Sequence, residues 1–255
     1  MHKRFNVLGV GVSSIDMGIA MGTVERWIAR RESNYVTVTG VHGVMESQVD
    51  ADLREIHNRA GMVTPDGMPL VWLGRYNGNK HVAQVCGTNL MLAICEKSTA
   101  KGYRHYLYGG NEGVPELLKS RLEGRFPKIK VVGTYSPPFR PLNNDEDEKI
   151  IKTINRANPD IVWVGLSTPK QERWMAEHVG RLDAPVLIGV GAAFDFNSGL
   201  KKRAPVWMQK SGLEWLFRLL AEPRRLWRRS LRNNPLFILL IIQQALGLKR
   251  YEDEW

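Results

Sequence analysis

A short segment in the last fifth of the chain combines arginines with large apolar residues. It reads GLEWLFRLLAEPRRLWRRSLR at 212–232 and contains six arginines. Residues 201–232 hold ten Lys/Arg and two Glu, which gives +8, whereas the whole chain of 255 residues carries +10. Such a local excess of positive charge predicts an anionic partner here: nucleic acid, a membrane surface or a phosphate-bearing ligand.

A carboxylate stands at one junction between an apolar run and a helical pattern. Asp66 lies in VTPDGMPLVW (63–72), followed by a glycine and an apolar helical face. Taken alone, this carboxylate is interpreted as a helix N-cap, because its oxygen can accept a hydrogen bond from a free helix N–H. The alternative is that the Asp66 carboxylate takes part in a reaction.

A second junction, LSTPKQERW (166–174), follows the apolar run DIVWVGL. Thr168 with Gln171 fits a capping box, and Pro169 suits the first helical position. Four consecutive polar residues from Lys170 to Arg173 also give this end of the sheet a dense polar set.

Glycine-rich and acidic motifs indicate neither a redox cofactor nor a metal. GVGVSS (9–14) and GVGAAF (189–194) lack the last glycine and the placed acid of a dinucleotide fingerprint. YGGNEGVPELL (108–118) either holds a phosphate at a helix N-terminus or makes a tight turn. DAD (50–52) and DED (145–147) are interpreted as solvated helix faces. We therefore expect no cofactor and no metal.

Strand-like and helix-like patterns alternate over the first 200 residues. Strands are predicted at 5–10, 35–39, 81–86, 104–109, 129–133, 160–166 and 185–191. Helices are predicted near 18–31, 43–59, 66–75, 88–101, 113–125, 145–157 and 170–181. This alternation predicts an α/β fold, with a Rossmann-like, mostly parallel sheet and flanking helices.

The rest of the chain is predicted to be helical and basic. Residues 1–200 form the predicted catalytic body, with two subdomains around one cleft, and 201–255 a membrane-associating appendage or lid. Pro223 and the NNP at 233–235 are expected to divide this appendage.

The hydropathy pattern predicts a cytoplasmic protein that can lie on a membrane. The N-terminal residues do not resemble a signal peptide. The most apolar run, LFILLII at 236–242, is far shorter than the roughly 20 residues of a spanning helix. Cys86 and Cys95 are interpreted as reduced core thiols.

Five motifs in a fixed order carry a resemblance to a known family. They are PDG at 65–67, PKQE at 169–172, GAAFDFNSG at 191–199, RAP at 203–205 and GLEWLFRLLAEPRR at 212–225. Between about residue 5 and residue 232 the chain resembles the WecG/TagA/CpsF glycosyltransferases (family 26). The resemblance implies metal-independent, inverting transfer of a sugar from a nucleotide-diphosphate donor, most often UDP-linked, to a polyprenyl-diphosphate-linked saccharide. It also implies a place on the cytoplasmic face of the bacterial membrane, in surface or exopolysaccharide biosynthesis, with homo-oligomers possible.

The resemblance assigns roles to individual residues. Asp66 matches the family's proposed general base, which takes the proton of the acceptor hydroxyl. Gln171 matches a pocket residue that binds the sugar or the acceptor. Asp195 and Arg203 lie in matching motifs at the donor pocket or its rim.

One motif departs from the family pattern, which has Thr-x-Asn near the end of the second strand. This chain has VTVTGVHGVME at 36–46. Counting back from Asp66 puts Val38 and Gly40 at those positions, and a slip of one residue makes Thr37 and Thr39 the counterparts. We select Thr39 as the pocket hydroxyl and His42 as a further ligand to acceptor or diphosphate, with a structural His42 as the alternative.

The resemblance also interprets the arginine-rich segment. Arg218, Arg225 and Arg228 match arginines of an appendage that can close over the active site. Arginine is an apt partner for a diphosphate, and a basic, Trp-bearing amphipathic helix suits an anionic membrane surface. An ordinary surface helix is the alternative.

Two other classes of function compete with this interpretation. Nucleic-acid binding explains the charge, but the sequence has no motif that reads RNA or DNA, and we expect no such partner. A non-catalytic peripheral membrane or polyanion-binding protein would not depend on Asp66.

Overall fold

Helices and strands alternate along the chain in the computed structural model, which describes residues 2–253 and 255, with the backbone alone at residue 229. The strands are β1 (Arg4–Val7), β2 (Val10–Ser13), β3 (Asn34–Thr39), β4 (Met62–Pro65), β5 (Arg104–Gly109), β6 (Lys130–Tyr135), β7 (Ile161–Gly165) and β8 (Val186–Gly189). The helices are α1 (Met17–Arg30), α2 (Val41–Glu46), α3 (Ala51–Arg59), α4 (Met68–Tyr76), α5 (Gly87–Lys101), α6 (Val114–Arg125), α7 (Asn144–Ala157), α8 (Lys170–His178), α9 (Ala193–Asn197), α10 (Val206–Lys210), α11 (Glu214–Ala221) and α12 (Pro223–Ala245).

Six strands form one sheet in the order β4-β3-β8-β7-β5-β6. The pairs β3–β8, β8–β7, β7–β5 and β5–β6 are parallel. The side chains of β7 from Ile161 to Val164 are wholly buried, as are those of β8 from Val186 to Ile188. Strands covered on both faces carry continuous apolar runs. The predicted α/β fold with a mostly parallel sheet is confirmed.

The chain divides into two compact units. Unit 1 comprises the described residues of Met1–Met17, Val38–Val85 and Arg203–Trp255, and unit 2 comprises Gly18–Thr37 and Cys86–Lys202. Four parallel pairings of the sheet lie in unit 2, whereas unit 1 holds the β1–β2 hairpin and the C-terminal helices.

The predicted strand at 5–10 is wrong, because the chain reverses direction within it. Leu8 and Gly9 both adopt positive φ, of 52° and 83°. Two consecutive residues of this kind make a tight hairpin turn, and Asn6 Oδ1 accepts a hydrogen bond from the Gly9 N–H at 2.8 Å. Leucine at a positive φ gives no turn signal in the sequence, so the single predicted strand runs through the turn and misses most of β2.

The predicted strand at 81–86 is also wrong, and β4 takes its place beside β3. In the described structure residues 81–86 form no strand and make isolated backbone bonds, such as Val85 N–H to the Pro65 oxygen at 3.0 Å. The predicted helix at 43–59 is two helices. Asp50 caps α3 by accepting from the Leu53 N–H at 3.0 Å, which starts a new helix there.

The C-terminal helices follow the prediction at Pro223 but not at Pro235. Helix α12 begins at Pro223 and continues through Pro235, so the expected division at 233–235 is wrong. Leu226 and Phe237 are both buried, one on each side of Pro235. Packing of both halves compensates for the hydrogen bond that the proline removes. Among the described residues, none of the helices has the length and apolar character needed to cross a membrane.

Candidate functional site

The backbone of Asp66 is fixed on both sides, at the end of the buried strand β4. Its N–H donates to the Thr39 oxygen at 3.0 Å, and its carbonyl oxygen accepts from Gln84 Nε2 at 2.6 Å. The interpretation of Asp66 as the N-cap is wrong: the N-cap of α4 is Gly67, and within the described chain no side chain caps that helix. Asp66 therefore lies one residue before the N-cap.

The Asp66 carboxylate is half-buried and lies beside a residue without a side chain. Its Oδ2 would be 3.7 Å from a Cβ added at Gly40. A hydroxyl group can approach a carboxylate in such a place, because no Cβ at Gly40 narrows the space. Gly40 is also the position where the sequence comparison expects the family's asparagine.

Thr39 is buried and is held by a histidine that the sequence analysis did not select. The Thr39 hydroxyl lies 3.2 Å from His57 Nδ1. His57 on α3 is wholly buried, and this burial lowers its pKa to about 4. The imidazole is therefore neutral near pH 7 and connects α3 to the end of β3. A histidine inside a helical pattern gave no signal for this contact.

Thr37 and His42 differ in their surroundings. Thr37 is wholly buried on β3. His42 on α2 is half-buried, and its Nδ1 lies 3.4 Å from Glu46 Oε1, one helical turn away. The contact orients the ring and becomes an ion pair when the imidazole is protonated.

In unit 2, Gln171 and Glu172 form a buried polar pair at the start of α8. Gln171 Nε2 and Thr168 Oγ1 both donate to Glu172 Oε1, each at 2.9 Å. The capping box predicted for Thr168 and Gln171 is wrong, because the N-cap is Pro169 and the threonine hydroxyl bonds to Glu172 instead. Burial raises the pKa of Glu172, although the hydrogen bonds it accepts act in the opposite direction.

Two glycines, one that ends β8 and one two residues beyond it, leave room for Gln171. A Cβ at Gly189 would lie 3.2 Å from Gln171 Cδ, and one at Gly191 would lie 3.4 Å from Gln171 Oε1. The Gly191 contact puts the carboxamide oxygen next to the exit of β8. Parallel sheets bind ligands at this carboxyl end of their strands.

A stack of rings holds α8 in place behind the polar pair. The ring of Trp174 lies between Tyr108 and His178, at centroid distances of 4.1 Å and 4.2 Å. His178 Nε2 lies 2.8 Å from Asp147 Oδ1, and Arg181 lies 3.0 Å from the other oxygen of that carboxylate. Asp147 is thus part of an ion-pair network.

Asp195 lies on α9 in unit 2 and is paired. Its carboxylate is 3.0 Å from Lys201 Nζ. The pair neutralises both charges, so a ligand that binds Asp195 must compete with the lysine.

The selected arginines lie in unit 1. Arg203 and Arg218 are half-buried, whereas Arg225 and Arg228 on α12 are exposed. Arg225 Nε donates to Glu222 Oε2 at 2.6 Å, and the Arg228 guanidinium lies 5.3 Å from the centre of the Trp227 ring. Arg225 is thus held by the N-cap residue of α12, and Arg228 by a ring within that helix.

The glycine junction after β5 is a tight turn. Gly109 and Gly110 have φ of 120° and 75°, and the Gly110 N–H donates to the Gly165 oxygen at 2.9 Å. A Cβ at Gly109 would lie 2.7 Å from the Gly165 carbonyl carbon and oxygen. Only glycine therefore fits at the first position.

Candidate metal ligands and the two cysteines are the remaining residues of chemical interest. Over the described residues, no group of three or more His, Cys, Asp or Glu is arranged to hold a metal ion. Cys86 and Cys95 are buried and are not joined in a disulfide, which agrees with their interpretation as reduced core cysteines. Burial raises the pKa of Cys95 to about 12, which makes that thiol unreactive at neutral pH.

Comparison with known proteins agrees with the sequence resemblance. The sequence model described as "Glycosyl transferase WecG/TagA/CpsF family" matches residues 5–251. An N-acetylglucosaminyldiphosphoundecaprenol N-acetyl-beta-D-mannosaminyltransferase of Bacillus subtilis is 31% identical over 203 residues, 79% of this chain and 76% of the relative. An enzyme of the same name from Staphylococcus aureus (strain NCTC 8325 / PS 47) is 24% identical over 249 residues, 97% of this chain and 95% of the relative. The chain therefore belongs to the WecG/TagA/CpsF family and is a glycosyltransferase.

Proposed function

We propose that this glycosyltransferase moves a sugar from a UDP-linked donor to a polyprenyl-diphosphate-linked saccharide, with inversion at the sugar carbon and without a metal ion. The names of the relatives support the acceptor class, because both contain a diphosphoundecaprenol and a transferred N-acetylmannosaminyl group. The product would be a lipid-linked intermediate of a bacterial surface or exopolysaccharide.

The observation that carries the proposal is the setting of Asp66. Its backbone is fixed by Thr39 and Gln84, while its half-buried carboxylate lies next to the bare Gly40. A general base must stay within hydrogen-bonding reach of the proton that it removes. A fixed backbone meets that need, and the glycine leaves space for the acceptor.

The proposed reaction is a single displacement. Asp66 takes the proton of the acceptor hydroxyl as the oxygen forms a bond to the anomeric carbon. The bond between that carbon and the diphosphate oxygen breaks on the opposite face, and the electron pair leaves with UDP. Arg218, Arg225 and Arg228 are proposed to meet the negative charge of a diphosphate.

The remaining selected residues are proposed as substrate ligands. Thr39, His42 and Arg203 belong to unit 1, and Gln171 and Asp195 belong to unit 2. The buried Gln171 carboxamide suits a sugar hydroxyl or amide group. Asp195 would bind its ligand in exchange for Lys201.

We also propose that the protein acts as a peripheral protein on the inner face of the plasma membrane, through an appendage formed by residues 201–255. Exposed Trp207, Trp215 and Trp227 accompany the arginines of this region. Tryptophan and arginine together favour the headgroup zone of an anionic bilayer. Closure of this appendage over the active site, and a homo-oligomeric state, belong to the same proposal.

A donor screen tests the function. Purified protein is incubated in EDTA with a panel of UDP- and GDP-sugars and a short-chain polyprenyl-diphosphate saccharide. The masses of the products are measured by mass spectrometry. We expect one donor to add a single sugar. Asp66→Asn should lower turnover by about 10²- to 10⁴-fold with UDP binding retained, because only proton removal is lost.

Asp52→Asn is the matched control, since Asp52 is an exposed carboxylate on α3 of the same unit. It should leave turnover unchanged. Full turnover of Asp66→Asn would remove Asp66 as the base. Absence of both transfer and nucleotide binding would favour a non-catalytic membrane or polyanion-binding protein.

A further inference from the structure

The buried pair at the start of α8 contains two oxygens whose hydrogen-bonding capacity is not used within the protein. Gln171 is 3% exposed and Glu172 is wholly buried. Among the described residues, neither Gln171 Oε1 nor Glu172 Oε2 has a hydrogen-bond partner. Buried polar atoms are nearly always paired, so an oxygen left open at a site indicates a ligand that completes it.

The hydrogen bonds at Glu172 determine which way the Gln171 carboxamide faces. Glu172 Oε1 accepts from Thr168 Oγ1 and from Gln171 Nε2. An oxygen that already takes two donors cannot carry a proton, so it stays an acceptor whether or not the carboxyl is ionised. Rotating the amide by 180° would bring two acceptor oxygens together.

The opposite side of the carboxamide faces the end of β8. Gln171 Oε1 is 3.4 Å from the position of a Cβ at Gly191, and Gln171 Cδ is 3.2 Å from that of a Cβ at Gly189. A Cβ at Gly189 would also lie 2.6 Å from Met175 Cε, so β8 and α8 leave little room around the amide. Because Nε2 already donates to Glu172 Oε1, the carbonyl oxygen is the carboxamide atom left to bond a ligand near Gly191.

We propose that Glu172 is a positioning residue that locks Gln171 as a hydrogen-bond acceptor, so that the substrate group recognised there is a donor, a sugar hydroxyl or an amide N–H. This inference rests on the proposed function in taking Gln171 as a substrate ligand. It goes further by fixing the polarity of that contact and by assigning Glu172.

The test is a double-mutant cycle measured in kcat/KM with the donor found in the screen. Gln171→Ala and Glu172→Met should each lower kcat/KM by about tenfold, the equivalent of one hydrogen bond. The double variant should lose no more than either single variant, because both remove the same contact. Glu172→Gln keeps an acceptor oxygen and should retain wild-type kcat/KM. Independent losses that multiply would overturn the proposal.

A spectroscopic readout separates this inference from the proposed function. The side-chain ¹⁵NH₂ signal of Gln171, assigned by its loss in Gln171→Ala, should exchange slowly with water in the wild type. Glu172→Met should abolish that protection, and Thr168→Val, which keeps Glu172, should retain it. Rapid exchange in the folded wild-type protein would overturn the proposal even where turnover is normal. If no sugar is transferred from any donor, the proposed function fails. The exchange rate of the Gln171 side-chain NH₂ still shows whether its hydrogen bond to Glu172 is present.

Two further variants keep the test valid if Glu172→Met does not fold. Thr168→Val removes the other donor to Glu172 Oε1 and should lower kcat/KM by about twofold to threefold, as a weaker loss of the same network. Glu177→Met changes an exposed glutamate on the same helix and should leave every readout unchanged. A Thr168→Val protein that is fully active at every donor concentration would overturn the role of the network.

Discussion

The strand-to-helix junctions of unit 2 and the C-terminal helices of unit 1 use polar groups in opposite ways. Around α8, buried carboxyl, carboxamide and imidazole groups have polar partners, and glycines stand where an added Cβ would meet neighbouring atoms. Along α11 and α12, arginines and tryptophans are largely exposed. Burial fixes the position of a polar group, whereas exposure keeps a cation available for an anionic partner.

This contrast predicts which region tolerates change. The free energy of unfolding should depend on the closed junctions, because a displaced buried group loses its partners. Changes at the exposed arginines should alter binding and leave folding almost untouched. Three measurements test these expectations.

The largest effect of a single substitution is expected at Gly109. Gly109→Ala places a Cβ 2.7 Å from the Gly165 backbone at a φ of 120°. Because backbone atoms on both sides must move, the free energy of unfolding should fall by roughly 3 kcal/mol or more, as measured in urea. Gly124→Ala is the matched control, since Gly124 lies on α6 with open space around it. It should raise stability by about 0.5–1 kcal/mol. Similar losses in both variants would contradict the close-packed junction.

The second effect is a loss of folding stability at acid pH, which involves one buried histidine in each unit. Burial lowers the pKa of His57 in unit 1 to about 4 and that of His105 in unit 2 to about 3. The unfolded chain therefore binds more protons than the folded chain below pH 6.5, so stability is full above that pH and falls as the pH drops toward 4. Each histidine should contribute about 1.4 kcal/mol per pH unit in this window.

The acid prediction is checked by urea unfolding at a series of pH values. His57→Gln and His105→Gln should each lower the slope of the unfolding free energy against pH by the contribution of one proton, about 1.4 kcal/mol per pH unit. Glu172 works in the opposite direction, because its raised pKa lets the folded chain keep a proton that the unfolded chain releases. A slope that is the same in the wild type, His57→Gln and His105→Gln would contradict the prediction.

The sequence predicted the sheet because its signals are local and repeated. Runs such as DIVWVGL alternate with helical patterns, and strands buried on both faces leave no ambiguity about the core. Its errors lie where tertiary contacts decide. Leu8 accepts a positive φ because hairpin pairing on both sides compensates for it, and Pro235 stays in α12 because Leu226 and Phe237 are buried on either side of it.

Motifs in the sequence select Asp66 and Gln171 as candidate site residues, and their roles stay predictions. The side chains that contact Thr39 and Glu172 carry no such motif. His57 is 18 residues from Thr39 in the sequence and within 3.2 Å of it in space. The hydrogen bond from Thr168 to Glu172 replaces the capping box that local spacing favoured. Neither side-chain contact could be inferred without the three-dimensional arrangement.

The smallest effect on folding, and a large one on binding, is expected at Arg225 and Arg228. Both side chains are exposed, so Arg225→Glu with Arg228→Glu should change the free energy of unfolding by less than about 0.5 kcal/mol per residue. Loss of two cations should weaken binding to vesicles containing phosphatidylglycerol by at least about 30-fold, at about 1 kcal/mol per basic residue.

The matched control for the arginine pair lies on α6 of unit 2. Arg125 is exposed and lies 5.3 Å from the Phe126 ring centre, as Arg228 lies over Trp227. Arg125→Glu should leave vesicle binding nearly unchanged, because that residue is outside the proposed membrane surface. Equal losses in the two proteins would mean that net charge alone drives binding. An unfolding free energy that falls with vesicle binding in the double variant would instead make Arg225 and Arg228 structural, and the contrast between buried junctions and exposed helices would no longer hold.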